Sequence, residues 1–164
     1  MKKIIFAILA LSLIFMPLIV YAQNWTPEEE EILERVQYGW SSWEDAVRNK
    51  DYSIHLNVMY RPDDFRCWFT SDSYLWSFED TKKSFDFLIK DIAEFRCIAI
   101  KPVEIQVHDN VAFIWFYAVT SVENNKGITS TTEQKRFEVY RKIEGEWIWS
   151  AGMVHDNPAG NLFE

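Results

Sequence analysis

The 164 residues carry 25 acidic against 17 basic side chains, and the resulting net charge of −8 argues against nucleic acid and anionic membrane surfaces as partners. The length suits a single domain with a sizeable core. Aromatic residues make up 16% of the chain, eight of them Trp, more than a small core needs, so part of that aromatic surface is expected to line a cavity.

The N-terminus has the layout of a secretory signal. Lys2 and Lys3 provide the positive end, and an apolar stretch from Ile4 to Val20 follows, broken by Ser12 and Pro17. Val20-Tyr21-Ala22 presents residues that a signal peptidase accepts, so residues 1–22 are expected to be removed, leaving residues 23–164 as one domain. The apolar run also approaches the ~20 residues that span a bilayer. Pro17 and the cleavage site favour removal over a permanent anchor. Cleavage takes the net charge to about −10 and places the protein in a secreted or periplasmic compartment, with no membrane association once the signal has gone.

Thr26-Pro27-Glu28-Glu29 predicts a helix start, with Thr26 as cap, Pro27 at the first helical position and Glu29 closing a capping box. Ile32, Val36, Trp40, Trp43 and Val47 recur at spacings of three and four, one apolar stripe on a helix ending near Asn49. Asp51 to Tyr60 predicts a second helical segment. Arg61-Pro62-Asp63-Asp64 predicts a turn, and Phe65 to Phe69 a short strand. Ser77-Phe78-Glu79-Asp80 is another capping pattern, followed by a helical face of Phe85, Leu88, Ile89 and Ile92 that runs to about Phe95.

The period then changes to two. Val103, Ile105 and Val107 alternate with Glu104, Gln106 and His108, which predicts a half-exposed strand. Asp109-Asn110 makes a tight turn into Val111 to Val122, apolar enough to be covered on both faces. Beyond the Asn124-Asn125-Lys126-Gly127 turn, Phe137, Val139 and Ile143 alternate with Arg136, Glu138 and Lys142. Glu144-Gly145 makes the last hairpin turn, and Trp147, Trp149, Ala151 and Met153 are expected on one side of the final strand. Helices followed by an antiparallel meander of four long strands give an α+β fold.

Cys67 and Cys97 are the two cysteines. In an oxidising compartment the pair suggests a disulfide closing a loop of about 30 residues, worth ~3–4 kcal/mol; the alternative is two separate buried thiols. Two cysteines without a His cluster do not make a metal site.

This order of elements resembles the NTF2-like superfamily, and within it the SnoaL-like and ketosteroid-isomerase-like small domains. The resemblance rests on Trp43, Ala46 and Lys50-Asp51 at the end of the first helix and on Tyr60-Arg61-Pro62-Asp63-Asp64 before the first strand. It continues through Asp109-Asn110-Val111-Ala112, the stretch Arg136 to Lys142 leading to Glu144-Gly145-Glu146-Trp147, and His155 in the last strand. It implies a cone, with the N-terminal helices packed in a strongly curved antiparallel sheet and a pocket at the wide end. Members commonly dimerise through the outer sheet face, so a homodimer is among the expectations.

The chemistry such a resemblance implies is proton transfer in an apolar cavity, by a carboxylate or histidine whose pKa burial moves toward neutrality. His155, Asp64 and Tyr60 are the candidate catalytic residues, with Asp156 and Tyr117 as further titratable groups. Trp40, Trp68, Trp115, Tyr117 and Trp149 are the candidate pocket wall. Plain structural roles compete with each: Asp64 as a turn residue, His155 bonded to backbone at a strand end, the tryptophans as core. Val111 to Val119, where a ketosteroid-isomerase-like enzyme places its base, is apolar and aromatic, which speaks against that reaction. No phosphate loop, metal set or nucleophile setting is present in the sequence, and no cofactor is implied. Three functions follow: a binding protein for a small apolar or aromatic molecule, a cyclase, isomerase or hydratase using His155, or a dimeric protein-interaction module without catalysis.

Overall fold

The computed structural model describes residues 24–59 and 64–157. The expected signal segment 1–22 and Tyr60 lie outside the described residues.

Helix α1 (Pro27–Asn49) begins as its sequence dictates. The Thr26 side chain accepts from the Glu29 backbone N–H, and Glu29 accepts in return from the Thr26 N–H at 2.7 Å. Lys50 ends it in the left-handed region at φ 56°. The apolar stripe faces inward: Ile32, Val36, Trp43 and Val47 are buried and Trp40 is half-buried. A short helix, α2 (Ser53–Met59), follows. Strand β1 (Arg66–Phe69), the two-residue strand β2 (Trp76–Ser77) and helix α3 (Phe78–Asp91) come next. Ser77 and Asp80 cap α3 reciprocally, as the sequence predicts. Among the described residues, no helix is long and apolar enough to cross a membrane.

Four long strands then form the meander: β3 (Ile92–His108), β4 (Val111–Asn124), β5 (Thr129–Ile143) and β6 (Glu146–Asn157). The sheet order is β2-β1-β6-β5-β4-β3. The fold is therefore α+β, with α1 packed against a curved, unclosed sheet. Three features depart from the sequence reading. First, β1 runs parallel to β6, so the sheet is mixed rather than wholly antiparallel. Second, α3 stops at Asp91 and the strand begins at Ile92, about ten residues before the period-two pattern becomes visible. Register shifts at Ile92/Glu94, Cys97/Ala99 and Pro102/Glu104 break the alternation there and hide the strand.

The third departure concerns phase. On β4, Ala112, Ile114, Phe116, Ala118 and Thr120 are buried, while Phe113, Trp115, Tyr117 and Val119 are half-buried on the other face. That outer face is shielded by neighbouring side chains: Phe137 of β5 packs on Trp115 with ring centroids 4.8 Å apart. On β5 the apolar Phe137 and Val139 face outward, and Arg136, Glu138 and Tyr140 face the interior. A register shift between β5 and β6 at Val139/Tyr140 inserts one residue into β6. Trp149 consequently points inward, whereas Ala151 and Met153 beyond the bulge lie on the outer face with His155.

The cysteines are free thiols, correcting the expected disulfide. Cys67 lies on β1 and Cys97 on β3, at four strand spacings across the sheet, where neighbouring strands sit ~4.8 Å apart. A disulfide needs Cα atoms within about 7 Å. Burial pushes the Cys67 thiol up to about 12 and the Cys97 thiol up to about 11.

Candidate functional site

The curved sheet and its helices enclose a cavity of about 470 Å³. Its walls are of two kinds. Trp40 and Trp43 from α1, Phe85 from α3, Phe95 from β3, and Phe69 and Trp76 beside the β1–β2 connection supply aromatic surface. Those rings also hold one another: Trp43 meets Phe85 at 5.1 Å and Phe95 at 5.8 Å, and Phe69 meets Trp76 at 4.7 Å. Tilted and edge contacts of this kind fix ring orientation beyond simple burial.

The opposite wall is polar and belongs to β5. Alternate residues of a strand share a face, so Gln134, Arg136, Glu138 and Tyr140 form one stripe. Arg136 donates from Nε to Glu138 Oε1 at 2.9 Å and from Nη1 to Gln134 Oε1 at 3.1 Å; its Nη2 lies 2.7 Å from Glu138 Oε1. Tyr140 donates its hydroxyl to Glu138 Oε2 at 2.8 Å. Gln134 donates from Nε2 to Asp156 Oδ1 of β6, extending the chain of bonds from the floor to the mouth. Burial, followed by the charge and hydrogen bond of Glu138, holds the Tyr140 phenol well above its ordinary value. The Arg136 guanidinium also lies over aromatic faces, 4.9 Å from the Trp40 ring centroid and 5.5 Å from that of Trp149. The buried cation is thus held by a carboxylate, an amide and π faces together.

His55 of α2 closes the deep end. Its Nδ1 lies 2.8 Å from Ser42 Oγ, and Ser42 donates its single hydroxyl hydrogen to the Gly39 carbonyl at 2.7 Å. The serine oxygen must therefore accept from His55, which places the imidazole proton on Nδ1. Burial, and secondarily the Arg136 charge, lowers the imidazole to about 3, so it is neutral near pH 7.

Only part of the predicted site gathers here. Trp40 and Trp149 line the cavity. Trp149 sits over Gly152, where an added Cβ would come within 3.0 Å of its indole nitrogen. Trp115 and Tyr117 are on the outer sheet face instead, because they are out of phase with Phe116. Trp68 is 45% exposed and bonds the Asp72 carbonyl. Asp64 forms a surface ion pair with Arg141 at 3.4 Å, away from the cavity. His155 is exposed and bonds Thr70 Oγ1 through Nδ1 at 2.7 Å. Its neighbour Asp156 lines the cavity, so the β6 bulge gives the inward position to the carboxylate and withholds it from the imidazole. His55, Gln134, Arg136 and Glu138 are lining residues that the sequence reading does not nominate. The in-phase run Gln134, Arg136, Glu138, Tyr140 was the available signal, since a polar stripe closed by a tyrosine is as compatible with a lined pocket as with solvent. Among the described residues no cluster of three His, Cys, Asp or Glu could hold a metal.

No family profile and no curated protein matches the sequence. Solved structures do match. An NTF2-like superfamily protein from Salmonella enterica serovar Typhimurium aligns at a TM-score of 0.58 and 15% identity, over 79% of this chain and 92% of that one. A ketosteroid isomerase-like protein from Erwinia carotovora atroseptica aligns at 0.59 and 12%, over 80% and 98%. The association domain of CaMKII from C. elegans aligns at 0.55 and 12%, over 79% and 98%. These likenesses, with the helix-lined curved sheet and its cavity, show that the chain has the NTF2-like fold.

Proposed function

We propose that this is an exported protein whose domain binds a small apolar or aromatic molecule inside the cone. The observation that carries the reading is the aromatic cavity of about 470 Å³, a volume typical of small-molecule sites. Arg136 and Glu138 neutralise each other on its polar wall, which suits retention of a ligand better than attack on one. His155 is not among the residues lining the cavity, so the binding reading is preferred to a cyclase, isomerase or hydratase using that imidazole. Export rests on the Lys2-Lys3 start, the apolar stretch and Val20-Tyr21-Ala22.

Titration with N-phenyl-1-naphthylamine, a neutral fluorophore that brightens in apolar surroundings, tests the binding reading. Saturable binding is expected to the wild type and not to Thr132→Trp, which fills the cavity from β5. Equal fluorescence with both proteins would overturn it.

A second reading is favoured by the outer sheet face, where Phe113, Trp115 and Phe137 stack beside the exposed Val103 and Met153. An apolar face of this kind supports a homodimer, as does the likeness to an association domain. Sedimentation of the wild type as a dimer and of Trp115→Glu as a monomer is the expected result.

A further inference from the structure

The geometry points to a cationic ligand: an arylalkylamine whose ring enters the cone and whose ammonium group stays at the mouth, between Asp72 and Asp156. This inference rests on the binding reading above and assigns the class of molecule bound.

The position of the two carboxylates follows from strand pairing. Strands β1 and β6 run side by side with Phe69 opposite Val154, and the Thr70 N–H donates to the Val154 carbonyl at 2.9 Å. Asp156 lies two residues beyond Val154 on the same face. Beyond Thr70 the chain turns back, with the Asp72 N–H donating to the Phe69 carbonyl at 2.9 Å. Both acids line the cavity where β1 and β6 end, and Ser71 lines it with them. Asp156 is oriented by the Gln134 amide at 2.8 Å. Phe69 and Trp76 flank the same turn, so π faces and carboxylates meet at one rim.

Charge balance gives the sign. Among the described lining residues Arg136 is the one cationic side chain, and Glu138 offsets it. Asp72 and Asp156 are then left over, giving a cavity of formal charge about −2 in a chain of net charge −8. A carboxylate ligand would meet repulsion at the rim. An ammonium group there gains two opposite charges and nearby aromatic faces, and it keeps its distance from Arg136 on the polar wall. The inner aromatic surface takes the ring.

Three probes sharing one indole ring decide the matter by calorimetry: tryptamine, neutral tryptophol and indole-3-acetate. Tryptamine is expected to bind about tenfold more tightly than tryptophol, the sum of two partly exposed charge contacts and a cation–π term, with indole-3-acetate weakest. Asp72→Asn/Asp156→Asn should bring tryptamine to within about twofold of tryptophol, and 1 M salt should narrow the gap in the wild type. Tryptophol binding as tightly as tryptamine, or an amine preference that survives in the double variant, overturns the inference and leaves the cavity reading intact. Binding of none of the three, together with failure of the neutral fluorophore, would overturn both.

Discussion

The Arg136 guanidinium and the Glu138 carboxylate lie 2.7 Å apart on the inner face of β5, with side chains only 10% and 4% exposed. Two residues apart on one strand, they share a face, and the sheet's curvature turns that face into a cavity wall. Such a pair confers little net stability, because desolvating both ions offsets their attraction, yet removing one partner strands a buried charge.

Glu138→Gln is therefore expected to destabilise the domain by roughly 3 kcal/mol, because it keeps the side-chain shape and leaves Arg136 uncompensated. The double variant Arg136→Met/Glu138→Gln should recover much of that loss. Urea denaturation of the three proteins checks the order.

The buried His55 predicts a pH dependence. Its folded pKa, about 3, lies below the unfolded value near 6.5. Between those values the unfolded chain binds a proton that the folded one does not, so stability falls as pH drops from about 6.5 toward 3 and this contribution levels off below. Paired carboxylates such as Glu31, held low first by the Trp147 hydrogen bond and then by Lys142, lose their own contribution only in the acid part of that range. His55→Asn keeps a donor toward Ser42 and should flatten the stability profile between pH 6.5 and 4.5, measured by denaturation at fixed intervals.

Free thiols predict a specific reactivity. The intact mass should match two reduced cysteines, even after secretion to an oxidising medium. With a thiol reagent at pH 8, Cys97, which is half-buried, should react slowly, and Cys67 only after denaturation. Cys67→Ala should cost stability by loss of packing, whereas Cys97→Ser should leave it nearly unchanged.

Gly152 is expected to accept a side chain only at a cost in stability. A Cβ there would lie 3.0 Å from the Phe137 carbonyl and from the Trp149 indole nitrogen, and the first of these is backbone that cannot yield cheaply. Gly152→Ala should cost about 1–3 kcal/mol, should shift the Trp149 emission and should weaken fluorophore binding.

The sequence by itself determined what depends on near neighbours along the chain. Thr26 with Glu29 and Ser77 with Asp80 form the caps they predict, the Ile32–Val47 stripe faces inward, and Asp109-Asn110 and Glu144-Gly145 turn where expected. The resemblance to the NTF2-like fold rests on the same local patterns, and the structure has that fold. What lies in the cavity was decided by tertiary structure. A one-residue insertion in β6 reverses which residues face inward, so Trp149 and Asp156 line the site and His155 does not. Alternation along β5 was legible, but its phase was not, because a period of two is identical for either face. Only the partner that neutralises Arg136 and the rings that cover it make the charged face the inner one. Strand order, too, is silent in local sequence, and it is strand order that keeps Cys67 and Cys97 four strands apart.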